Sequence, residues 1–359
     1  MKKSIIVWFI IIIVVIGIIV VTTHKRQPEG GGMKKLEVAV VIPLTGSNSS
    51  LGEDFLNGLL LAKEKINPDI ILNIEDSKSN ANDGIMAAKK LLDTKNIDVI
   101  VSLQSAVVIP LLAIADQYDK PLIATAVAQN EFTQKSKNAF RLFPPAKQYT
   151  SLAAEFASKM GFNKVSTLTI HDEYGESIKE QFKKDFKGSI PHQENFEVSE
   201  QDFRTILTKI SDSEAIYSVG YDIHWVNLFK QREELGKNIT FISNQNMTSN
   251  FVKSRVGSLL TNAYATVPES VLVNEKTKEF SEEYTKKYGH EPDWGAPFGY
   301  DILLILDAIQ KNGKKPIDAL HEIKIDGLNG SISFGENREA NIPLVVVRAK
   351  DGIIEEIKE

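Results

Sequence analysis

The chain has 359 residues, a formal net charge of −5 and a hydrophobic fraction of 42%. This length is too great for one ordinary core and indicates about two domains, and the composition is that of a folded protein. The net negative charge gives no electrostatic basis for binding nucleic acid. Because the sequence contains no cysteine, disulfides, thiolate metal sites and a lipid-modified N-terminal cysteine are excluded.

The N-terminal segment is dominated by an apolar run over residues 5–21, with a pair of basic residues before it and another after it. As a helix this run spans about 26 Å, close to the roughly 30 Å hydrocarbon core of a bilayer. It ends in Ile and Val rather than in the small residues of a cleavage site. We therefore expect residues 1–26 to be an uncleaved membrane anchor, with a cleaved signal peptide as the alternative. Residues 27–35, which contain a proline and three glycines, are expected to form a flexible tether.

From residue 36 onward, short β-branched runs alternate with amphipathic helical patterns. In the first half we predict strands at residues 36–42, 70–75, 97–102 and 121–125. Helices are predicted at residues 52–66 and 82–92, and a third helix is predicted to follow the strand at residues 97–102 and to run to about residue 118. The second of these helices has Asn82 or Asp83 available as its cap. Strands and helices in this order are typical of a parallel sheet covered on both faces.

The same alternation restarts after residue 146. We predict a helix at residues 149–160, a helical face from Tyr174 to Phe186, and strands at residues 164–170, 215–219, 239–242 and 342–349, the last of which ends the chain. The sequence therefore predicts an α/β fold with two doubly wound parallel sheets. Ligands of such sheets bind beyond the carboxyl ends of the strands, so two facing sheets would share one cleft.

Motifs for nucleotide, metal or catalytic chemistry are not evident in the sequence. No Gly-x-Gly-x-x-Gly follows a strand and no P-loop is present, while the loop at residues 45–52 either binds an anion or simply connects strand to helix. No two of the six histidines are spaced i, i+4, which argues against a zinc hydrolase. No Gly-x-Ser-x-Gly elbow occurs, although His171 beside Asp172 leaves a dispersed Ser/His/Asp set open. We expect a binding protein without metal or cofactor rather than an enzyme.

Several segments carry a family resemblance through their order and spacing. They are VAVVIPLTGSNSSLGEDFLNGLLLA, the VSLQS that precedes a helix, PLIATAVA, HDEYGES, QDFRTILTKI, YSVGY and FGYD. Together they resemble the type I periplasmic binding proteins of branched-chain amino-acid ABC transporters, the leucine/isoleucine/valine-binding group. The resemblance implies two lobes joined by a three-crossing hinge. Lobe 1 would comprise residues 36–146 plus 269–328, and lobe 2 would comprise residues 147–268 plus 329–359.

The resemblance also implies which residues bind the ligand. Ser105 matches the serine whose hydroxyl holds the ligand's carboxylate, although it would serve equally well as a plain helix cap. Ala126 and Ala128 match the positions that supply main-chain contacts. Ala128 stands where relatives place a threonine hydroxyl, so one side-chain hydrogen bond would be missing. The remaining candidates are side-chain contacts from Leu51, Tyr174, Tyr221 and Tyr300, of which Tyr174 and Tyr221 could instead be surface aromatics.

Gln245 is the main departure from the family pattern. Amino-acid binders of this group usually carry a glutamate here, and a neutral amide cannot form a charge pair with the ligand's ammonium. Asp222 and Asp172 are the candidate substitutes. A neutral amide, a urea-like solute or a simple carboxylate therefore stands beside an amino acid as the expected ligand.

We expect an extracytoplasmic protein that delivers a small polar solute to the permease subunits of an ABC importer and is held at the membrane by its N-terminal helix. The alternative is a membrane-tethered ligand sensor of the same fold that feeds a signalling receptor. No kinase or signalling segment occurs before Glu359, which favours delivery. A sugar-responsive repressor would need a DNA-binding helix pair where this chain has its apolar run.

Overall fold

The computed structural model of the protein describes residues 35–210 and 212–358. The predicted anchor and nearly all of the predicted tether lie outside these residues. Within the described ranges, no helix combines the length and the apolar character that a membrane crossing requires.

The first sheet contains five parallel strands in the order β2-β1-β3-β4-β5. All five apolar residues of its first strand are fully buried, as expected for a strand covered by helices on both faces. Its strands are β1 (Glu37–Ile42), β2 (Ile71–Asp76), β3 (Val99–Leu103), β4 (Leu122–Thr125) and β5 (Ala139–Arg141). The helices between them are α1 (Ser49–Lys65), α2 (Ala81–Thr94) and α3 (Ser105–Gln117), and a 3₁₀ turn spans Phe132–Lys135.

The second sheet has seven strands, and its order is β14-β13-β10-β9-β8-β6-β7. Its strands are β6 (Val165–Ile170), β7 (Gln193–Phe196), β8 (Ala215–Val219), β9 (Phe241–Asn244), β10 (Ala263–Pro268), β13 (Leu344–Lys350) and β14 (Ile353–Glu356). The first five are parallel, whereas β13 and β14 are added antiparallel at one edge. A separate hairpin is formed by β11 (Ile325–Gly327) and β12 (Gly330–Ile332).

Eight further helices accompany these strands in the described part of the chain. They are α4 (Ala146–Lys159), α5 (Glu173–Asp185), α6 (Arg204–Lys209), α7 (Asp222–Glu234), α8 (Asn250–Val256), α9 (Lys278–Tyr288), α10 (Gly295–Asn312) and α11 (Pro316–Glu322). Short 3₁₀ turns span Gln245–Thr248, Gly257–Leu259 and Glu269–Val271. The predicted α/β class is thus confirmed, with one parallel sheet and a second sheet that is parallel over five strands and antiparallel at one edge.

Two local predictions are wrong. Helix α2 is capped by Asn80, whose side-chain oxygen accepts a hydrogen bond from the Asp83 backbone N–H at 2.9 Å, so neither Asn82 nor Asp83 is the cap. The strand predicted to end the chain is followed by β14, which pairs with it through a tight turn at Asp351 and Gly352, both with positive φ. The short, mostly exposed β14 has no buried apolar run that would have revealed it.

The lobe boundaries stay a prediction, and one of them fits the contacts poorly. The boundary between Leu328 and Asn329 falls inside the β11–β12 hairpin. The chain after that hairpin still contacts the first sheet, because Glu339 forms an isolated bridge with Arg141 of β5. If the chain instead passes from lobe 1 to lobe 2 near Pro343, just before β13, the boundary agrees better with these contacts.

Helices α1 and α10 pack at very short range, and glycines make this possible. A Cβ atom on Gly58 would lie 2.0 Å from the carbonyl oxygen of Ala296, and one on Gly299 would lie 2.0 Å from that of Phe55. Any side chain at these positions would push the helices apart. The close packing fixes the N-terminal ends of both helices, which contribute to the cavity described next.

Candidate functional site

Both sheets have a switch point from which successive connections leave in opposite directions. In the first sheet β2 and β3 lie on opposite sides of β1, and in the second β7 and β8 lie on opposite sides of β6. Loops at the carboxyl ends of such strands diverge and leave a crevice. A cavity lies among these strand ends, and the space between atoms there amounts to about 450 Å³, part of which is open to solvent. Its lining residues are Asn48, Ser50, Leu51, Gln104, Ser105, Ala126, Phe143, Tyr174, Tyr221, Asp222, Gln245, Asn246 and Trp294.

One end of the cavity is formed where β3 and β4 terminate. Ser105 is the first residue of α3, as the sequence predicts, so backbone N–H groups at this helix start lack intrahelical acceptors. Its hydroxyl is buried and has no hydrogen-bond partner in the described structure, so the residue is not a plain helix cap. Gln104 and Ala126 adopt positive φ values of 79° and 54°, a strained conformation for residues other than glycine. At this end of the cavity the backbone therefore departs from the geometry of an ordinary strand-to-helix connection.

Two stacked tyrosines form the wall contributed by the second sheet. The rings of Tyr174 and Tyr221 lie 6.2 Å apart with an angle of 11° between their planes. The Tyr174 hydroxyl accepts a hydrogen bond from Asn244, and the Tyr221 hydroxyl donates one to Asp172. Burial raises the pKa of both tyrosines, so both hydroxyls stay protonated at neutral pH. The result is a neutral aromatic surface whose two hydroxyls are hydrogen-bonded.

The second sheet also contributes polar side chains to the cavity from the loops that follow β8 and β9. The side-chain oxygens of Gln245 and Asn246 are buried and accept no hydrogen bond from the described residues. Asp222 begins α7, and burial raises the pKa of its carboxyl to about 7, with the charge of Asp293 as the second cause. The cavity therefore offers neutral amide acceptors and one acidic group.

Hydrogen bonds cross the cleft between the two sheets. Ser50 donates to Asp222 at 2.8 Å, and Asn130 donates to Gln181 at 2.8 Å. On the far side of the cavity, the backbone N–H of Asn250 donates to Asp293 at 2.6 Å. These contacts show that the cleft is closed in this structure.

The structure brings six of the eight predicted site residues together at the cavity: Leu51, Ser105, Ala126, Tyr174, Tyr221 and Gln245. Tyr300 is not among them, because its ring packs edge-on against Phe280 of α9, with the ring centroids 5.3 Å apart. Ala128 is buried in the core, and its carbonyl accepts a hydrogen bond from the backbone N–H of Ala146. Neither residue is among those that line this cavity, and a contact of either one with the ligand stays a prediction.

Sequence reasoning missed several lining residues. They are Asn48, Ser50, Gln104, Phe143, Asn246 and Trp294. Four of these stand next to or within three residues of a predicted site residue and could have been found by extending each motif by a few positions. Trp294 stands six residues before Tyr300, and Phe143 stands 15 residues after Ala128, so only the fold brings them to the cavity.

A Ser/His/Asp arrangement is not supported by the placement of His171. Its imidazole is exposed and lies 3.1 Å from Glu197, and Asp172 is engaged instead by Tyr221 and by the backbone N–H of Gly175.

The loop at residues 45–52 is held by Asp76, which accepts hydrogen bonds from the backbone of Leu44 and from Thr45. This loop serves to place Asn48, Ser50 and Leu51 at the cavity.

Comparison with known families decides the classification. The family profile described as periplasmic binding protein matches residues 35–353, nearly all of the described chain. The chain belongs to the periplasmic binding protein family. The predicted resemblance to the leucine/isoleucine/valine-binding group is confirmed by the relatives of this periplasmic binding protein. One is the Leu/Ile/Val-binding protein BraC3 of Rhizobium johnstonii, 23% identical over 229 residues, which are 60% of this chain and 62% of that protein.

Solved structures share the fold of this periplasmic binding protein. The substrate-binding protein LivJ of a Streptococcus pneumoniae branched-chain amino acid transporter, in complex with isoleucine, superposes with a TM-score of 0.83 at 22% identity, covering 91% of this chain and all of that one. An ABC-transporter solute-binding protein of Rhodopseudomonas palustris, in complex with 3,4-dihydroxybenzoic acid, gives a TM-score of 0.82 at 23% identity, covering 90% and 96%. The same fold therefore holds ligands with and without an amino group.

Proposed function

We propose that this periplasmic binding protein captures one small polar solute in the cavity and presents it to the permease of an ABC importer outside the cytoplasm. The observation that supports this most directly is a cavity with an aromatic wall, in which several buried polar atoms have no partner in the described structure. The Ser105 hydroxyl and the Gln245 and Asn246 oxygens are buried without partners in the described structure. Buried polar groups are normally hydrogen-bonded, so these atoms suit a ligand that supplies the missing donors and acceptors.

The shape of the site supports a solute with one polar end and an apolar body. Ser105 and the start of α3 offer donors to a carboxylate or carbonyl oxygen. Leu51, Phe143 and Trp294 line the same cavity as the tyrosine pair. A body of a few carbon atoms between these side chains would lose its contact with water, which favours binding.

A thermal-unfolding panel tests this function. The panel contains α-amino acids, their amides, and aliphatic and aromatic carboxylates. A compound present at a hundredfold excess over its Kd stabilises the folded protein by about 2.7 kcal/mol, which is readily measured. We expect at least one compound to shift the unfolding midpoint in a concentration-dependent way. A panel without any shift would contradict the proposal.

Removing the Ser105 hydroxyl tests the polar end of the site. Ser105→Ala keeps the helix start and its backbone N–H groups, so we expect affinity to fall by about 0.5–1.5 kcal/mol, or by up to about 3 kcal/mol if the contacted group is charged. The measurement is a calorimetric titration with the compound found in the panel. Ser177→Ala, at a half-buried position of α5 that does not line the cavity, is the control and should leave affinity unchanged. Equal affinities for wild type and Ser105→Ala would show that the Ser105 hydroxyl does not contact the solute.

The two-lobe arrangement with a hinge and the membrane anchor complete the proposal. Hinge opening would break the contacts of Ser50, Asn130 and Asn250 across the cleft, and a solute that bridges both sides would favour the closed form.

N-terminal sequencing of the membrane-associated protein tests the anchor at residues 1–26. A sequence that begins after Gln27 would show cleavage instead.

A further inference from the structure

Asp54 is a buried acidic residue of α1 that does not line the cavity, although Leu51, three residues earlier, does. Its carboxylate accepts three hydrogen bonds from other segments. One comes from the hydroxyl of Tyr284 in α9, at 2.8 Å. The other two come from backbone N–H groups at the start of α10, those of Asp293 at 3.0 Å and Ala296 at 2.6 Å. Asp54 therefore ties α1 to the segment in which α10 begins.

The start of α10 has no side-chain cap of its own. Trp294 occupies the cap position, and an indole donates hydrogen bonds but does not accept them. The free N–H groups of the first turn therefore need an acceptor from elsewhere. The carboxylate of Asp54 supplies it, and a negative charge at the N-terminus of this 18-residue helix is favourable. The neighbouring helix α1 thus caps α10 and fixes the place of Trp294.

The acid is held at this place against an electrostatic cost. Burial raises the pKa of Asp54 to about 7, and the charge of Asp293 adds to this effect. A buried carboxylate is weak evidence for stabilisation of a fold, because desolvation offsets what its contacts contribute. The contribution of Asp54 therefore lies in where it holds the start of α10.

The segment that Asp54 holds also reaches across the cleft. The Asp293 carboxylate accepts a hydrogen bond from the backbone N–H of Asn250, the first residue of α8, at 2.6 Å. The side-chain amide of Asn250 donates to the carbonyls of Glu291 and Pro292, at 3.0 and 3.2 Å. We call these three contacts the clasp. None of its four residues lines the cavity, whereas Trp294, next to Asp293, does.

This inference rests on the proposed function and adds to it a residue outside the cavity. We propose that Asp54 is a positioning residue for solute capture, which by capping α10 holds Trp294 in the cavity wall and Asp293 in the clasp. Loss of the cap would raise the population of the open form. The solute would then leave sooner, while its diffusion into the open cleft would be unaffected.

Three variants test this role. Asp54→Asn keeps the volume and one acceptor oxygen, but its amide nitrogen cannot accept from the remaining donor. Asn250→Pro removes the clasp donors, and proline is well tolerated at the first position of a helix. Asp301→Asn is the matched control, because Asp301 is a buried carboxylate of α10 that accepts three hydrogen bonds, from Leu328 and Asn329, away from the cavity.

Stopped-flow kinetics with the compound found in the panel measure both rate constants. We expect Asp54→Asn and Asn250→Pro to raise the dissociation rate constant about tenfold or more and to leave the association rate constant within about threefold. The double variant should show less than the product of the two effects, because both changes act on the clasp. Asp301→Asn should release the solute at the wild-type rate even if its unfolding midpoint falls.

Release from Asp54→Asn at the wild-type rate, or at the rate of Asp301→Asn, would overturn the inference and leave the proposed function standing. If Asp54→Asn does not fold, Tyr284→Phe takes its place. It removes one of the three donors and should raise the dissociation rate constant about threefold. Wild-type release from both Tyr284→Phe and Asn250→Pro would then overturn the inference. If no compound of the panel binds the wild type, the inference and the proposed function both fail.

Discussion

Glu339→Ala is expected to lower the free energy of unfolding by about 3 kcal/mol, because it leaves the guanidinium of Arg141 buried without its anionic partner. Arg141 is fully buried and its charge is paired with Glu339. Its remaining hydrogen bonds go to the backbone carbonyls of Val127, Gln129 and Asn130, which cannot neutralise the charge. Denaturant unfolding monitored by fluorescence measures the change.

Glu336→Ala is the matched control for this prediction. Glu336 lies in the same segment, three residues earlier, and is exposed. Its replacement should change the free energy of unfolding by less than about 0.5 kcal/mol. Because Arg141 also holds the loop that follows Ala126, Glu339→Ala should weaken solute binding as well. Equal stabilities for the two variants would show that the buried pair is not the source of stability proposed here.

Tyr174→Ala is expected to weaken solute binding by about 2–4 kcal/mol, roughly a 30- to 1,000-fold increase in Kd. The change removes a buried ring from the cavity wall and takes away the stacking partner of Tyr221. It also leaves the Asn244 amide without the hydroxyl to which it donates. Calorimetric titration with the compound found in the panel measures the effect.

Two variants separate the ring from the hydroxyl and from general destabilisation. Tyr174→Phe keeps the ring and should retain most of the affinity, losing about 1 kcal/mol through the missing hydrogen bond. Tyr118→Ala removes a tyrosine whose hydroxyl contacts Asp93 outside the cavity, and it should bind as wild type does. If Tyr174→Ala binds as tightly as Tyr118→Ala, the tyrosine wall does not contact the solute.

Sequence patterns predicted the two parallel sheets because their strands are buried on both faces and read as continuous apolar runs. Val38–Ile42 is the clearest case, since every residue in it is fully buried. The same reasoning could not detect β14, which is short and mostly exposed, or the β11–β12 hairpin, whose strands have only three residues each. Local patterns also could not show that the chain returns to Arg141 before it joins the second sheet.

The candidate site was predictable where a residue follows directly on a strand end. Ser105, Tyr174 and Gln245 each stand within four residues of the strand that precedes them, so the sheet itself sets their position. Tyr300 fails this criterion, because it lies five residues into α10, about 7.5 Å along the axis from the helix start at the cavity. Its ring contacts α9 instead, whereas Trp294, immediately before that helix, reaches the cavity.

Native mass spectrometry of the protein purified without denaturation tests the central claim most directly, because it detects a bound solute of any chemical identity by its mass. We predict a one-to-one complex with a single small polar molecule in wild type and in Tyr118→Ala, and its loss or strong depletion in Tyr174→Ala. The same occupancy in Tyr174→Ala as in the other two proteins would contradict the claim that the solute is held in the cavity between the two sheets.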